Sequence, residues 1–318
     1  MEAQSDHGAL CLPNLRRRVA DGDYANMLID DPFRECVCFL CVETTNQSGD
    51  AVKEERATGF FVGVYLGTKN DAAVAYLVTA RHVIEESRSC GTLYAKINLK
   101  AGGVDYIPVP QDAWTAHLST DVAIVPIPLK EDYRFKWVRS DGFADDNYIL
   151  HNGVHTGDEV FLIGLFAGYG GDDQAEPIAR FAHVALGLKK ISLRLNSGSL
   201  PVKVDAYLVE TTSWGGESGS PVFHCKWPVS NRVPISMGNP RLLGLLHGHF
   251  EISQNVTGGG TVGLNSGIGI VIPSHAIQEC LMHPDFVAER EKRKQKIESD
   301  VNTQTLNTAK GKWIYGNS

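Results

Sequence analysis

Residues 214–223 read Trp214-Gly215-Gly216-Glu217-Ser218-Gly219-Ser220-Pro221-Val222-Phe223, a serine set between glycines and followed at once by an apolar run. Glycine has no Cβ, so it permits the tight backbone that exposes a hydroxyl and aims amide N–H groups at one point. A Gly-x-Ser-Gly turn that opens a helix would argue for an α/β fold. Here Pro221-Val222-Phe223 continues as a strand, so the turn belongs to a β protein.

The rest of the chain agrees. Short β-type runs lie at 37–43, 59–65, 74–79, 93–97, 104–108, 121–126, 159–165, 179–187, 202–210, 221–224, 242–248 and 267–272, with turn residues between them. Strands this short and closely spaced, with almost no helical periodicity, predict antiparallel barrels or sandwiches. The aspartate-rich stretch 140–152 lies near the midpoint and predicts a linker between two β units. Helical signals are confined to a turn at 80–87, a helix opening at Ser274 as N-cap and running to about Met282, and the charged segment 284–298. That segment predicts a solvated helix, and the last twenty residues a frayed end.

Composition narrows the function. The chain has 318 residues, 43% of them hydrophobic and 21% charged, with 32 Gly, as in an ordinary globular protein rich in turns. Lys and Arg total 30 against 37 Asp and Glu, and the net charge of −7 repels phosphate backbones, so nucleic acid is not an expected partner. No apolar run reaches the roughly 18 residues a membrane span needs, and none at the front has signal-peptide character. Seven cysteines, an odd number, predict a reduced cytoplasmic chain. Cys36, Cys38 and Cys41 invite a zinc reading, but no second ligand pair follows at suitable spacing, and the expectation is a buried strand with no metal.

Two further segments carry chemistry. In Tyr76-Leu77-Val78-Thr79-Ala80-Arg81-His82-Val83-Ile84 an apolar strand delivers a histidine onto a helical turn. In Ser119-Thr120-Asp121-Val122-Ala123-Ile124-Val125 a carboxylate stands immediately before an apolar strand. Alone, each has an ordinary structural explanation as a capping, core or turn residue. Jointly, in the order His82, Asp121, Ser218 and spread over two β units, they point to nucleophilic catalysis.

These residues resemble the trypsin/chymotrypsin-like serine peptidases, in particular the bacterial-type branch of HtrA/Deg proteases and glutamyl endopeptidases. The resemblance is carried by Thr79-Ala80-Arg81-His82-Val83, Asp121-Val122-Ala123-Ile124-Val125, Gly216-Glu217-Ser218-Gly219-Ser220-Pro221-Val222-Phe223 and Gly267-Ile268-Gly269-Ile270-Val271-Ile272-Pro273, within residues 36–282. It implies an all-β fold, a chymotrypsin-like double β-barrel with a short C-terminal helix. The units would be an N-terminal extension 1–35, a first barrel 36–140 with His82 and Asp121, a second barrel 141–283 with Ser218, and a charged tail 284–318 without a PDZ domain.

By the same resemblance Ser218 is the nucleophile, His82 the general base and acid, and Asp121 the residue that holds its tautomer, with Gly216 and Ser218 N–H groups forming the oxyanion hole. No cofactor is implied, and the partner is a protein or peptide substrate. The primary pocket would take its floor from Thr212 and its walls from His247, Gly248, His249, Ser266 and Gly267. With no Asp at position 212, a preference for Lys or Arg is not expected. A basic cleavage site ahead of the first strand is missing, and Glu217 is expected to face solvent. His247-x-His249 is expected to line the pocket or pack rather than bind metal, and Cys225 to be structural. The alternatives are a catalytically silent protein-binding module of the same fold and a peptidase dedicated to one protein.

Overall fold

The computed structural model describes residues 29, 31–46, 48–68, 71–167, 169–171, 173–195, 200–211, 215–226, 229–230, 233–234, 240–255 and 261–314. Among these, the first half contains α1 (Asp31–Glu35), β1 (Val37–Thr45), β2 (Ala51–Tyr65), β3 (Ala73–Thr79), α2 (Arg81–Ser87), β4 (Leu93–Asn98), β5 (Val104–Val109), β6 (Thr115–Ala116), β7 (Ala123–Pro126) and β8 (Val138–Arg139). The second half contains α3 (Asp146–Asn152), β9 (Glu159–Gly164), β10 (Ile178–Leu193), β11 (Val202–Glu210), β12 (Pro221–His224), β13 (Val229–Ser230), β14 (Val233–Pro234), β15 (Arg241–Asn255) and β16 (Thr261–Pro273), then α4 (Ser274–Leu281) and α5 (Pro284–Ile314).

The fold is mostly β, in two antiparallel systems. The first sheet runs β5-β4-β1-β2-β3-β7-β6, with β8 added in parallel to β2. The second is a closed barrel of order β10-β11-β16-β15-β12-β9. Closure leaves the second system without edges; in the first, Pro108 and Pro110 lack N–H donors where β5 turns toward β6.

β1 is buried along Val37–Val42, and Cys36, Cys38 and Cys41 sit in the core as the apolar pattern predicts. Burial raises each thiol, Cys41 to about 12, so these sulfurs stay protonated as small core hydrophobes. Cys225 and Cys280 are likewise buried, with thiols pushed up to about 12. Phe33 of α1 packs edge-on against Phe161 and Phe223, at ring separations of 5.3 and 5.0 Å, so the end of the segment assigned as an N-terminal extension is part of the core.

Where strand limits differ from the sequence reading, most strands are longer, while β7 starts at Ala123 rather than 121 and β9 ends at Gly164 rather than 165. β2 starts at Ala51, because Val52, Lys53 and Glu54 pair with Thr44, Glu43 and Val42 of β1 although their side chains are polar or exposed. β10 continues past Gly187 to Leu193 for the same reason, paired with β11. Ladder hydrogen bonds hold a polar ribbon that apolar patterning does not mark.

Ser274 is not the N-cap of α4. Pro273 is, and the Ser274 hydroxyl donates instead to Ala144 O at 3.4 Å. The tail is one helix, α5, continuing to Ile314, and its first turns are anchored rather than solvated. Phe286 and Arg290 are buried, and the Arg290 guanidinium donates to Tyr76 OH at 2.9 Å. No helix among the described residues is long and apolar enough to cross a membrane.

Candidate active site

Antiparallel register brings the first two residues together. Thr79 at the end of β3 pairs with Ala123 at the start of β7, so the chain leaving β3 toward His82 meets the chain entering β7 from Asp121. His82 is the second residue of α2, a helix whose N-cap, Ala80, has no side chain to offer the free amides. Asp121 takes that place. Its Oδ1 accepts the His82 backbone N–H at 2.8 Å, and its Oδ2 accepts the His82 Nδ1 at 2.7 Å.

The turn that presents Asp121 is tied by His117, whose Nδ1 accepts the Ser119 and Thr120 N–H groups at 3.2 and 3.1 Å. An acceptor at Nδ1 puts the proton on Nε2, which donates to Glu279 Oε2 on α4 at 2.7 Å. The sequence reading did not single out His117, and nothing in its local pattern marks it.

Asp121 is fully buried and has a third donor. His247 Nδ1 lies 2.5 Å from the same Oδ2. A carboxylate only accepts, so both imidazoles carry their proton on Nδ1, and the Nε2 of neutral His82 is left as an acceptor. Burial alone would raise the Asp121 carboxyl, but the charge of His82 and the hydrogen bonds of both histidines hold it well below the usual carboxylate range. Burial pulls His82 down, while the Asp121 charge and hydrogen bond, with Glu86 and Glu85 nearby, outweigh it and raise its pKa above the ordinary value.

His247, read from sequence as a pocket wall, is therefore turned onto Asp121. The β15–β16 ladder shifts register between Leu246 and Gly248, and a bulge re-aims the side chain it displaces. The three groups His82, Asp121 and His247 place their ligand atoms within 4.8 Å of one another. Ligands around a zinc ion at ~2.0–2.1 Å stand roughly 3.3 Å apart, and contacts of 2.5 and 2.7 Å are hydrogen bonds with a proton between the atoms.

Ser218 lies in the turn before β12. Gly216 and Gly219 on either side have φ of +92° and +86°, the left-handed region that glycine occupies without strain, and a Cβ at Gly219 would stand 2.2 Å from Thr58 O. Among the described residues the Gly216 and Ser218 N–H groups have no protein acceptor. The Ser218 hydroxyl donates to His247 O at 3.2 Å, and no hydrogen bond joins it to His82.

Thr58 on β2, which the sequence reading missed, couples the two halves. Its hydroxyl donates to Gly216 O at 2.8 Å and accepts the Leu165 N–H at 2.9 Å, while its N–H donates to Ser218 O at 3.0 Å. Thr79, three residues before His82, donates through Oγ1 to Thr58 O at 2.7 Å. The histidine strand, Thr58 and the serine turn are thus one buried chain of hydrogen bonds.

Glu217 departs from expectation. It is fully buried instead of solvent-facing, and Arg180 Nε on β10 donates to its Oε1 at 2.5 Å. The tight turn that presents Ser218 folds the preceding side chain inward. Of the remaining pocket candidates, Thr212 lies outside the described residues. Gly248 and His249 stand on β15 facing Ile270 and Gly269 of β16, and Gly267 O accepts the Thr211 N–H at 2.8 Å, beside Ser266.

The family model of the trypsin-like peptidase domain matches residues 57–229, just over half of the 318-residue chain, and the protein belongs to that family. No curated protein matches the sequence. Among solved structures, the MamO protease domain from Magnetospirillum magneticum is similar at 14% identity, covering 79% of this chain and 98% of that one, with a TM-score of 0.46. The Rv3671c protease of M. tuberculosis H37Rv, in an inactive form, is 17% identical over 83% of this chain and 95% of that one, with a TM-score of 0.41. The tobacco vein mottling virus protease is 13% identical over 80% and 83%, with a TM-score of 0.38.

Proposed function

We propose that this trypsin-like peptidase is a serine endopeptidase working through an acyl-enzyme intermediate, with His82, Asp121 and Ser218 as its triad. The observation that carries the reading is the paired contact of Asp121 with the His82 backbone and ring, which fixes the tautomer a general base needs. In the proposed reaction Ser218 Oγ turns from His247 O to His82 Nε2, gives up its proton there and attacks the peptide carbonyl carbon. The Gly216 and Ser218 N–H groups stabilise the oxyanion. Collapse expels the amine, which takes the proton from His82, and water then repeats the sequence on the ester.

The substrate reading is a peptide with an uncharged residue at the cleavage site. A Cβ at Gly248 or Gly267 would meet no atom within 4 Å, which supports an open pocket mouth near His249 and Ser266. A reducing, cytoplasmic setting suits the buried free thiols of Cys36, Cys38, Cys41, Cys225 and Cys280.

One observation favours the alternative of a silent binding module: the Ser218 hydroxyl is engaged by His247 O and not by His82. A fluorophosphonate probe separates the two. The intact protein is expected to become labelled and Ser218→Ala to remain unlabelled with turnover lost; an intact protein that takes up no label would establish the binding-module reading instead.

A further inference from the structure

The turn that leads into Asp121 has little packing of its own. Leu118 is 96% exposed, Ser119 is exposed, and the buried Thr120 hydroxyl has no hydrogen-bond partner among the described residues. We infer that His117 is a positioning residue for Asp121, and that Glu279 of the C-terminal helix α4 holds the His117 ring in the tautomer this role requires. The catalytic consequence rests on the proposed function, whereas the ordering of the turn rests on geometry alone.

His117 engages the turn through backbone and ring alike. Its N–H donates to Val122 O at 2.8 Å and closes the loop. Its Nδ1 accepts the Ser119 and Thr120 N–H groups at 3.2 and 3.1 Å. Its carbonyl accepts from Arg81 Nη1 at 3.1 Å, and Arg81, the chain neighbour of His82, is held in turn by Glu85 at 2.7 Å. A side-chain acceptor that gathers the amides just ahead of it in the chain does what asparagine and aspartate do in turns. The Asp121 carboxylate itself is held by the His82 N–H, His82 Nδ1 and His247 Nδ1, and His117 sets the backbone from which it reaches them.

One neutral tautomer can do this. A lone pair on Nδ1 requires the proton on Nε2, and Glu279 Oε2 accepts that proton at 2.7 Å. The His117 side chain is 12% exposed and that of Glu279 63%, so solvent screens the charge and Glu279 contributes orientation. Helix α4 is fixed in place by its buried residues Ala276, Ile277, Cys280 and Leu281. The helix that follows the last barrel strand thus reaches the acid of the proposed triad on the first sheet.

The test uses the full chain with His117→Ala, His117→Asn, Glu279→Ala and the double His117→Asn/Glu279→Ala. Each is followed by thermal unfolding, hydrogen exchange of a peptide spanning 117–123, the rate constant of fluorophosphonate labelling, and NMR titration of the His82 ring, assigned by its loss in His82→Gln. His82 is faced by Asp121, by the His247 ring at 5.1 Å and by Glu85 and Glu86 of its own helix, with Arg81 beside it, and the variants change none of these.

In His117→Ala the turn amides are expected to exchange about 100-fold faster and labelling to slow about 30-fold, with cooperative unfolding retained. The His82 midpoint should move down toward the ordinary ~6.5, because the carboxylate that raises it has loosened. His117→Asn places an acceptor oxygen where Nδ1 stood and should stay within about 3-fold of the parent on exchange and labelling. Glu279→Ala should slow labelling by less than about 5-fold, and should add nothing in His117→Asn, which has no ring to orient.

A His82 midpoint and labelling rate in His117→Ala equal to the parent would overturn the inference, even with a lower Tm, since His117 would then be structural only. So would His117→Asn as impaired as His117→Ala, because the Nδ1 acceptor would not be the cause. A Glu279→Ala loss that persists in the double variant would refute the role given to α4. If His117→Ala does not fold, His117→Asn decides: a parent-like midpoint and protected turn support the inference, and a lowered midpoint refutes it. A parent that never labels would remove the peptidase reading, while exchange and the His82 titration would still decide the role of His117.

Discussion

The two halves of the site are prepared differently. On the first sheet His82 and Asp121 already make the contacts that the proposed reaction calls for, through two short hydrogen bonds to a buried carboxylate. On the barrel Ser218 is half-buried in its turn, and its hydroxyl rests on a neutral carbonyl at 3.2 Å. A buried charge must be solvated by the protein at all times, so its donors are built in. A neutral hydroxyl exchanges one acceptor for another at little cost, and it can wait for substrate.

Removing the charge from the prepared half breaks this contrast most severely. Asp121→Asn places an amide where three donors converge, two of them imidazoles that would have to change tautomer or lose their partner. Turnover should fall by roughly 10⁴-fold, measured as kcat on a peptide substrate, while Ser218 and its turn stay in place. A loss smaller than about 10-fold would mean that the His82 tautomer is set by something else.

A pH profile sharpens the comparison. His82 must be neutral to accept the Ser218 proton, so kcat/KM should rise with pH through a midpoint above the ordinary value of ~6.5. Stability has the opposite sign. The raised pKa means that the charged pair with Asp121 contributes fully below ~6.5 and is lost as pH climbs through the His82 value. His247→Ala removes one donor from Asp121, which strengthens the pull of the carboxylate on His82. Activity should drop by about 10- to 100-fold and the midpoint move further up. A midpoint that does not move would show that His247 is only a wall.

The smallest expected effect lies outside the site. His224, buried on β12, bridges Tyr148 OH at 2.9 Å and Asp158 Oδ2 at 3.1 Å, tying α3 to the barrel. Burial lowers its pKa despite Asp158, with Lys226 and His155 adding to the lowering and Arg241 facing Tyr148 nearby. Its contribution is therefore complete above ~6.5 and fades as pH falls below that, a loss visible as a falling Tm. In His224→Gln this acid-side slope should flatten while labelling at neutral pH is retained.

Short-range pattern encodes the local elements of this chain. The apolar runs mark every strand from β1 to β5 within a few residues except the polar start of β2, and Pro221–His224 is β12 at the limits read from the sequence. The glycines around Ser218 and the Thr-Ala-x-His step after β3 marked the candidate residues, because a tight turn and a strand end are local events.

Partnerships across the molecule come from strand pairing. Thr58 meets Gly216 from 158 residues away and His247 meets Asp121 from 126, through register and a bulge that no window of sequence contains. Glu217 looks like a surface acid beside a glycine turn, yet it is buried, with Arg180, 37 residues earlier on β10, among its partners. Whether a polar residue is buried depends on the partner the fold brings to it, and that is a property of strand pairing rather than of the residue.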